Sequence, residues 1–254
     1  MFNYNGNSII SNKVNFNFWR ALTDNDLGWK VDKKLGVWEN EGHNYTLNSL
    51  NINKKSKDSI TVVSNYLFNG TQSKATVKHT IYPNGKIAVD FQIAIPENVP
   101  NVPKIGLEFL VDPLLNQIEW YGKGPHENYI DRNYSADVGI HKKTLDEWIT
   151  PYVKPQENGN RTEVRWIKFS NNQNGIVVNG INNTLSVNSS PYSNQMLFKT
   201  LHDFELKRND KQIITIDCLQ MGVGGDNSWG KEVMEKYQLH PGTYHYQFSV
   251  SPLF

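Results

Sequence analysis

The sequence predicts an all-β fold, a large antiparallel two-sheet sandwich, on three observations. Apolar and polar residues alternate with period two along most of the 254 residues, short Asn- and Gly-rich turns separate the alternating runs, and helical periodicity is confined to two short pieces. Strands alternating with long helices would indicate a parallel sheet or a barrel of strand–helix units, and that pattern is missing from the sequence. With no Pro/Ser-rich linker in the chain, one sandwich over residues 1–254 is expected rather than two separate domains.

Each predicted element has a local reason. Ser59–Phe68 is an alternating run rich in β-branched residues. Residues 74–95 form a hairpin: Val77, His79 and Ile81 share one face, Pro83-Asn84-Gly85 turns the chain, and Ile87, Val89, Phe91, Ile93 and Ile95 return on the same pattern. Asn84-Gly85 is able to supply the positive φ angles of a tight turn. Further strands are read at Lys104–Val111, 118–121, 163–169, 175–178, 184–187, 195–200, 212–221 and 243–250. Short helices are expected at 144–148 and 231–237, and the polar stretch 171–174 is expected to be an exposed turn.

Composition excludes several function classes. Twenty-six basic and twenty-five acidic residues leave a net charge of +1, so no basic face for nucleic acid and no acidic tail is indicated. Seven Trp and twelve Tyr are many for a chain that is 38 % hydrophobic, which suits a sandwich core or a sugar-facing surface. The single cysteine, Cys218, rules out an intramolecular disulfide and reads as a small buried thiol in an apolar run. A reducing, cytoplasmic setting is expected from it. No signal-peptide pattern opens the chain, and no stretch approaches the roughly 18 apolar residues of a membrane span. Triplets such as Asn69-Gly70-Thr71 are therefore read as chance matches to a glycosylation motif.

Four segments interrupt the alternation. In the first, Trp19-Arg20-Ala21-Leu22-Thr23 leads into Asp24, Asn25, Asp26 and, after Leu27, Gly28. Turn chemistry accounts for such an Asx cluster, with Arg20 paired to one of the acids; alternatively the residues hold a rigid loop at the rim of a ligand site, with Gly28 as a hinge. The second segment contains Gly122-Lys123-Gly124-Pro125, His126, Glu127, Asp131 and Arg132. It lacks the third glycine and the Lys-Ser/Thr pair of a nucleotide loop, and neighbours such as His126 and Glu127 point to opposite faces of an extended chain. The third segment, 151–162, has two prolines and carries Glu157 and Arg161, read as a bidentate ion pair tying the loop to the body. In the fourth, a strand ends at Gly222-Val223-Gly224-Gly225 and the turn then presents Asp226, Asn227, Ser228 and Trp229. An indole on such a loop either plugs one end of the sandwich or offers its face to the C–H side of a pyranose.

Taken in order and spacing from about Asn17 to its end, the sequence resembles the terminal domain of family 2 β-galactosidases, in particular the small subunit of the two-chain lactic-acid-bacterial enzymes. Carrying the resemblance are Phe18-Trp19-Arg20-Ala21 with Asp24-Asn25-Asp26, Gly124-Pro125 with Glu127-Asn128-Tyr129 and Asp131-Arg132, Pro151-Tyr152-Val153 with Glu157-Asn158-Gly159 and Arg161, Gly222 through Trp229, and Gly242-Thr243-Tyr244-His245-Tyr246. The resemblance implies a galactose mutarotase-like supersandwich and a non-catalytic role, completing the active site of a barrel on a large catalytic chain that binds and hydrolyses a β-galactoside. It places Trp229 at the sugar subsites and the Asp24–Gly28 loop beside the same cavity. It puts the two catalytic glutamates, and the Mg and Na ions, on the partner barrel, with no cofactor or metal in this chain. Seventeen residues precede Phe18, fewer than usually lead into this domain, so a shortened amino-terminal sheet edge is expected. Two rival functions share the fold or the platform. A mutarotase-like epimerase would resemble its family in an Asn-x-Thr-Asn-His string, which is absent here. A stand-alone carbohydrate-binding module would use Trp229 without any partner.

Overall fold

The computed structural model describes residues 2–4, 7–10, 14–56, 58–225, 227 and 230–253. Among them two antiparallel sheets carry the fold. The first comprises β1 (Phe2–Tyr4), β2 (Asn7–Ile10), β3 (Asn15–Asn17), β8 (Lys104–Val111), β11 (Arg161–Val164), β14 (Leu185–Ser190) and β15 (Gln212–Gln220), in the order β1-β2-β8-β15-β14-β11 with β3 also on β8. The second comprises β4 (Tyr45–Ser56), β5 (Ser59–Phe68), β6 (Lys74–Ile81), β7 (Ile87–Ile95), β9 (Gln117–Gly124), β10 (Asp137–Thr144), β12 (Trp166–Ser170), β13 (Gly175–Gly180) and β16 (Gly242–Leu253). Its order is β10-β9-β12-β13-β16-β7-β6-β5-β4.

Alternation decides which residues meet between the sheets. Leu107, Phe109, Ile214, Ile216 and Val187 of the first sheet face Val77, Val89, Phe91, Ile167, Val178 and Phe248 of the second in one hydrophobic cluster. The aromatics pack edge to face: Phe16 meets Phe68 with ring centroids 5.0 Å apart, and Phe109 meets Phe248 at 6.1 Å.

The hairpin forms as expected, with Ile81 opposite Ile87 and Gly85 at φ 79°, although Asn84 stays out of the left-handed region. Asn171 closes the turn between β12 and β13 by accepting from the backbone N–H groups of Gln173 and Asn174. Four expectations change. The run 195–200 is not a strand but α4 (Asn194–Lys199), because Ser193 caps its first turn by accepting from Met196 N and only Leu197 turns inward. The run 163–169 is two strands in different sheets, since Glu163 takes φ 52° and the chain crosses between sheets at Arg165. Residues 231–237 hold only a single 3-10 turn, Glu235–Tyr237. Cys218 is partly rather than fully buried, and burial pushes its thiol up to about 12. The short helix at 144–148 does form, as α3 (Leu145–Trp148), with Thr144 and Glu147 making a capping box.

Candidate functional site

The Asx cluster after Arg20 folds as one helical turn, α1 (Asp24–Gly28). Thr23 is its N-cap: its hydroxyl accepts from Asp26 N at 3.1 Å, and the Asp26 carboxylate accepts from Thr23 N at 3.0 Å. The sequence could have shown this signal, because Thr23 and Asp26 stand at capping-box spacing. Gly28 is the last residue of this helical turn, and its carbonyl lies 3.2 Å from where a side chain on Gly230 would begin.

Arg20 and Asp26 form a fully buried bidentate pair, with Nη2 to Oδ1 at 2.8 Å and Nε to Oδ2 at 3.0 Å. Burial opposes the Arg20 cation, but Asp26 outweighs it and holds the guanidinium above its ordinary value. The remaining donors of Arg20 reach across the chain to the carbonyls of Met221 and Gly222, both at 2.9 Å. Asn25 Nδ2 donates to Val223 O at 2.9 Å. From the other side Asp131 Oδ2 accepts from Val223 N at 2.9 Å and Gly224 N at 2.7 Å. A Cβ on Gly222 would come within 2.5 Å of that oxygen, so the close approach requires glycine there. Past the turn, Lys231 N donates to Asn227 Oδ1 at 3.3 Å, and Lys34 of α2 (Val31–Lys34) pairs with Glu232. Together Arg20, Asn25 and Asp131 clamp the glycine-rich entry to the 222–230 segment. Asp226, Ser228 and Trp229 lie outside the described residues.

A second polar knot supports the first. Glu127 is buried and accepts from Arg132 and Tyr152 through one oxygen and from Gly159 N at 2.7 Å through the other. Asn128, which the sequence offered only within the family resemblance and with no role of its own, is the hub: its Oδ1 accepts from Thr162 N at 2.8 Å and Thr162 Oγ1 at 2.6 Å. Its only sequence signal is an amide between acidic and aromatic neighbours in a stretch without strand pattern. His126 bonds Ser135 rather than acting with Glu127. Burial, then Glu157 and Glu127, push the Tyr129 hydroxyl well above its ordinary value.

The expected Glu157–Arg161 pair does not form. Arg161 lies against Trp148, 4.3 Å from the ring centroid, and Trp120, and it donates to the carbonyls of Gly159, Asn160 and Pro125. Burial pulls it down to about 10. Glu157 instead accepts from Asn188 Nδ2 at 3.3 Å, and its backbone N–H bonds Ala21 O at 3.1 Å, tying the 151–162 loop to the segment after Arg20. Asp24 is exposed and meets Lys154 and Gln156 of the same loop.

Beside this scaffold a cavity of about 580 Å³ opens over the outer face of the first sheet, floored by β3, β8, β14 and β15 and walled by residues 18–22, 38–43 and α4. Among the described residues, no group of three or more His, Cys, Asp or Glu is placed to hold a metal ion.

A family model described as the beta galactosidase small chain matches residues 1–250. The β-galactosidase of Priestia megaterium is 32 % identical over 254 residues, covering 99 % of this chain and 24 % of that protein. For the β-galactosidase of Lactobacillus delbrueckii subsp. bulgaricus the identity is 33 % over 237 residues, covering 93 % and 23 %. The chain thus spans about a quarter of the length of the curated relatives it matches. Among solved structures, galactose 1-epimerase from Lactobacillus acidophilus NCFM shares the fold at TM-score 0.50 and 6 % identity, over 81 % of this chain and 66 % of that one.

Proposed function

The chain belongs to the β-galactosidase small-chain family, and on that premise we propose that it completes the sugar-binding site of a catalytic barrel carried by a large partner chain. The observation that supports this reading best is the clamp on the 222–224 backbone by Arg20, Asn25 and Asp131, which fixes where the following segment leaves the sandwich. In this reading a loop held at its root would present Trp229 at low entropic cost, and the indole would cover the C–H face of a galactose ring and exclude water from it. Retaining hydrolysis needs two carboxyl groups about 5 Å apart. In this reading both belong to the barrel, as do the Mg and Na ions, and this chain orients the sugar. The setting is cytoplasmic.

The test is assembly. The chain alone is expected to release no chromophore from a chromogenic β-galactoside, and addition of the large chain is expected to start turnover. Hydrolysis by the pure chain would overturn the reading and direct attention to Glu108 and Glu157, which line the same cavity. In the assembled enzyme Trp229→Ala is expected to raise KM about tenfold, the loss of about 1.4 kcal/mol of stacking. Unchanged kinetics would leave Trp229 a structural plug.

A further inference from the structure

We propose that the cavity over the outer face of the first sheet is a saccharide site built by this chain itself, taking a neutral pyranose of mono- to disaccharide size. Its volume, about 580 Å³, falls within the range of small-ligand pockets. The floor is polar by register: Glu108 of β8, Thr215 of β15 and Asn188 of β14 stand in one cross-strand row, while the neighbours Leu107, Ile216 and Val187 point into the core. Asn17 of β3 lines the same floor, is 6 % exposed, and has its buried Nδ2 without a hydrogen-bond partner among the described residues. Buried donors are rarely left unpaired, and a ligand hydroxyl would satisfy this one.

The walls are different. Trp19, and Phe198 of α4, supply apolar surface above that floor, the division a pyranose presents between its C–H face and its hydroxyl edge. The lining carries both signs of charge, Lys199 and His43 with Asp32, Glu39, Glu108 and Glu157, so it favours no ligand of one sign. The cation at the floor, Lys104, is matched by Asp217 at 3.1 Å. Burial, more than any neighbour, raises the Glu108 carboxyl above its ordinary value, and its oxygens stand in the floor as acceptors for a ligand hydroxyl. The site uses neither Trp229 nor the large chain.

The experiment is a backbone-amide NMR titration of the full 254-residue chain with lactose, methyl β-galactoside and, as a non-cyclic polyol, glycerol. Saturable shifts from the sugars are expected in β8, β14, β15 and α4, with no saturation by glycerol. Glu108→Gln is expected to weaken sugar binding about tenfold through loss of a strong acceptor. Phe198→Ala, at a side chain 42 % exposed and therefore harmless to folding, is expected to weaken it severalfold. The proposal falls if no sugar saturates up to its solubility limit, if shifts are confined to residues 221–233, if glycerol saturates equally, or if Phe198→Ala binds as the wild type does.

Discussion

Arg20 and Asp26 show how one residue pair can serve both folding and a site. Both side chains are wholly buried, so removing one partner strands a charge in a low-dielectric interior. Asp26→Ala is expected to cost about 3–5 kcal/mol, seen as a lowered urea midpoint with an unchanged slope; a loss below about 1 kcal/mol would mean that the carbonyls of Met221 and Gly222 suffice. His79 gives a pH signature. Burial holds its imidazole below the ordinary 6.5, so as pH falls through that value the unfolded chain takes up a proton before the folded chain does. Stability is therefore present above the ordinary value and lost on acidification. His79→Leu is expected to flatten the melting temperature between pH 7 and 5; an unchanged slope would place the titration elsewhere. At this scale the Arg20–Asp26 partnership was readable because it is local. The Glu157–Arg161 pairing was misread because its competitors, Trp120 and Trp148, come from two other elements that spacing cannot bring together.

At the scale of elements, α1 and the loop through Asp131 act as the two jaws on the 222–224 backbone. Asp131→Ala removes the acceptor for two N–H groups at once, and exchange of the Val223 and Gly224 amides is expected to accelerate more than tenfold while β13 and β16 keep their protection. If Val223 and Gly224 stayed protected, the Arg20 side of the clamp alone would hold the segment. Strands whose inner face is largely buried were legible, as in β7, β8 and β15, because burial forces the alternation. β4 was not, since its outer-edge position leaves Leu47, Leu50 and Ile52 exposed and the pattern unselected. α4 and the β11–β12 crossing escaped for another reason: a serine cap and one positive φ at Glu163 override a run that reads as strand on composition.

For the whole molecule, the unequal sheets grade the core from sealed to open. One cross-strand row of the second sheet runs Leu50, Ser64, Val77, Phe91, Tyr246. Its exposure falls from 52 % at Leu50 to 4 % at Ser64 and to 0 % at Phe91, so the same ladder passes from solvent to the centre of the sandwich. The two-sheet class followed from alternation across the chain, but this overhang did not, because period two records which face a residue occupies and not whether the other sheet reaches it. Burial depth sets the energetic consequence. Phe91→Ala opens a cavity among packed aromatics and is expected to cost about 3–5 kcal/mol, whereas Leu50→Ala removes contacts already shared with water and is expected to cost about 0.5 kcal/mol or less. Urea unfolding of the two variants at low protein concentration measures the difference. Equal losses would mean that the Leu50 end of the row is covered in solution, by a second copy or by another part of the assembly, and that the sandwich is closed where its own strands leave it open.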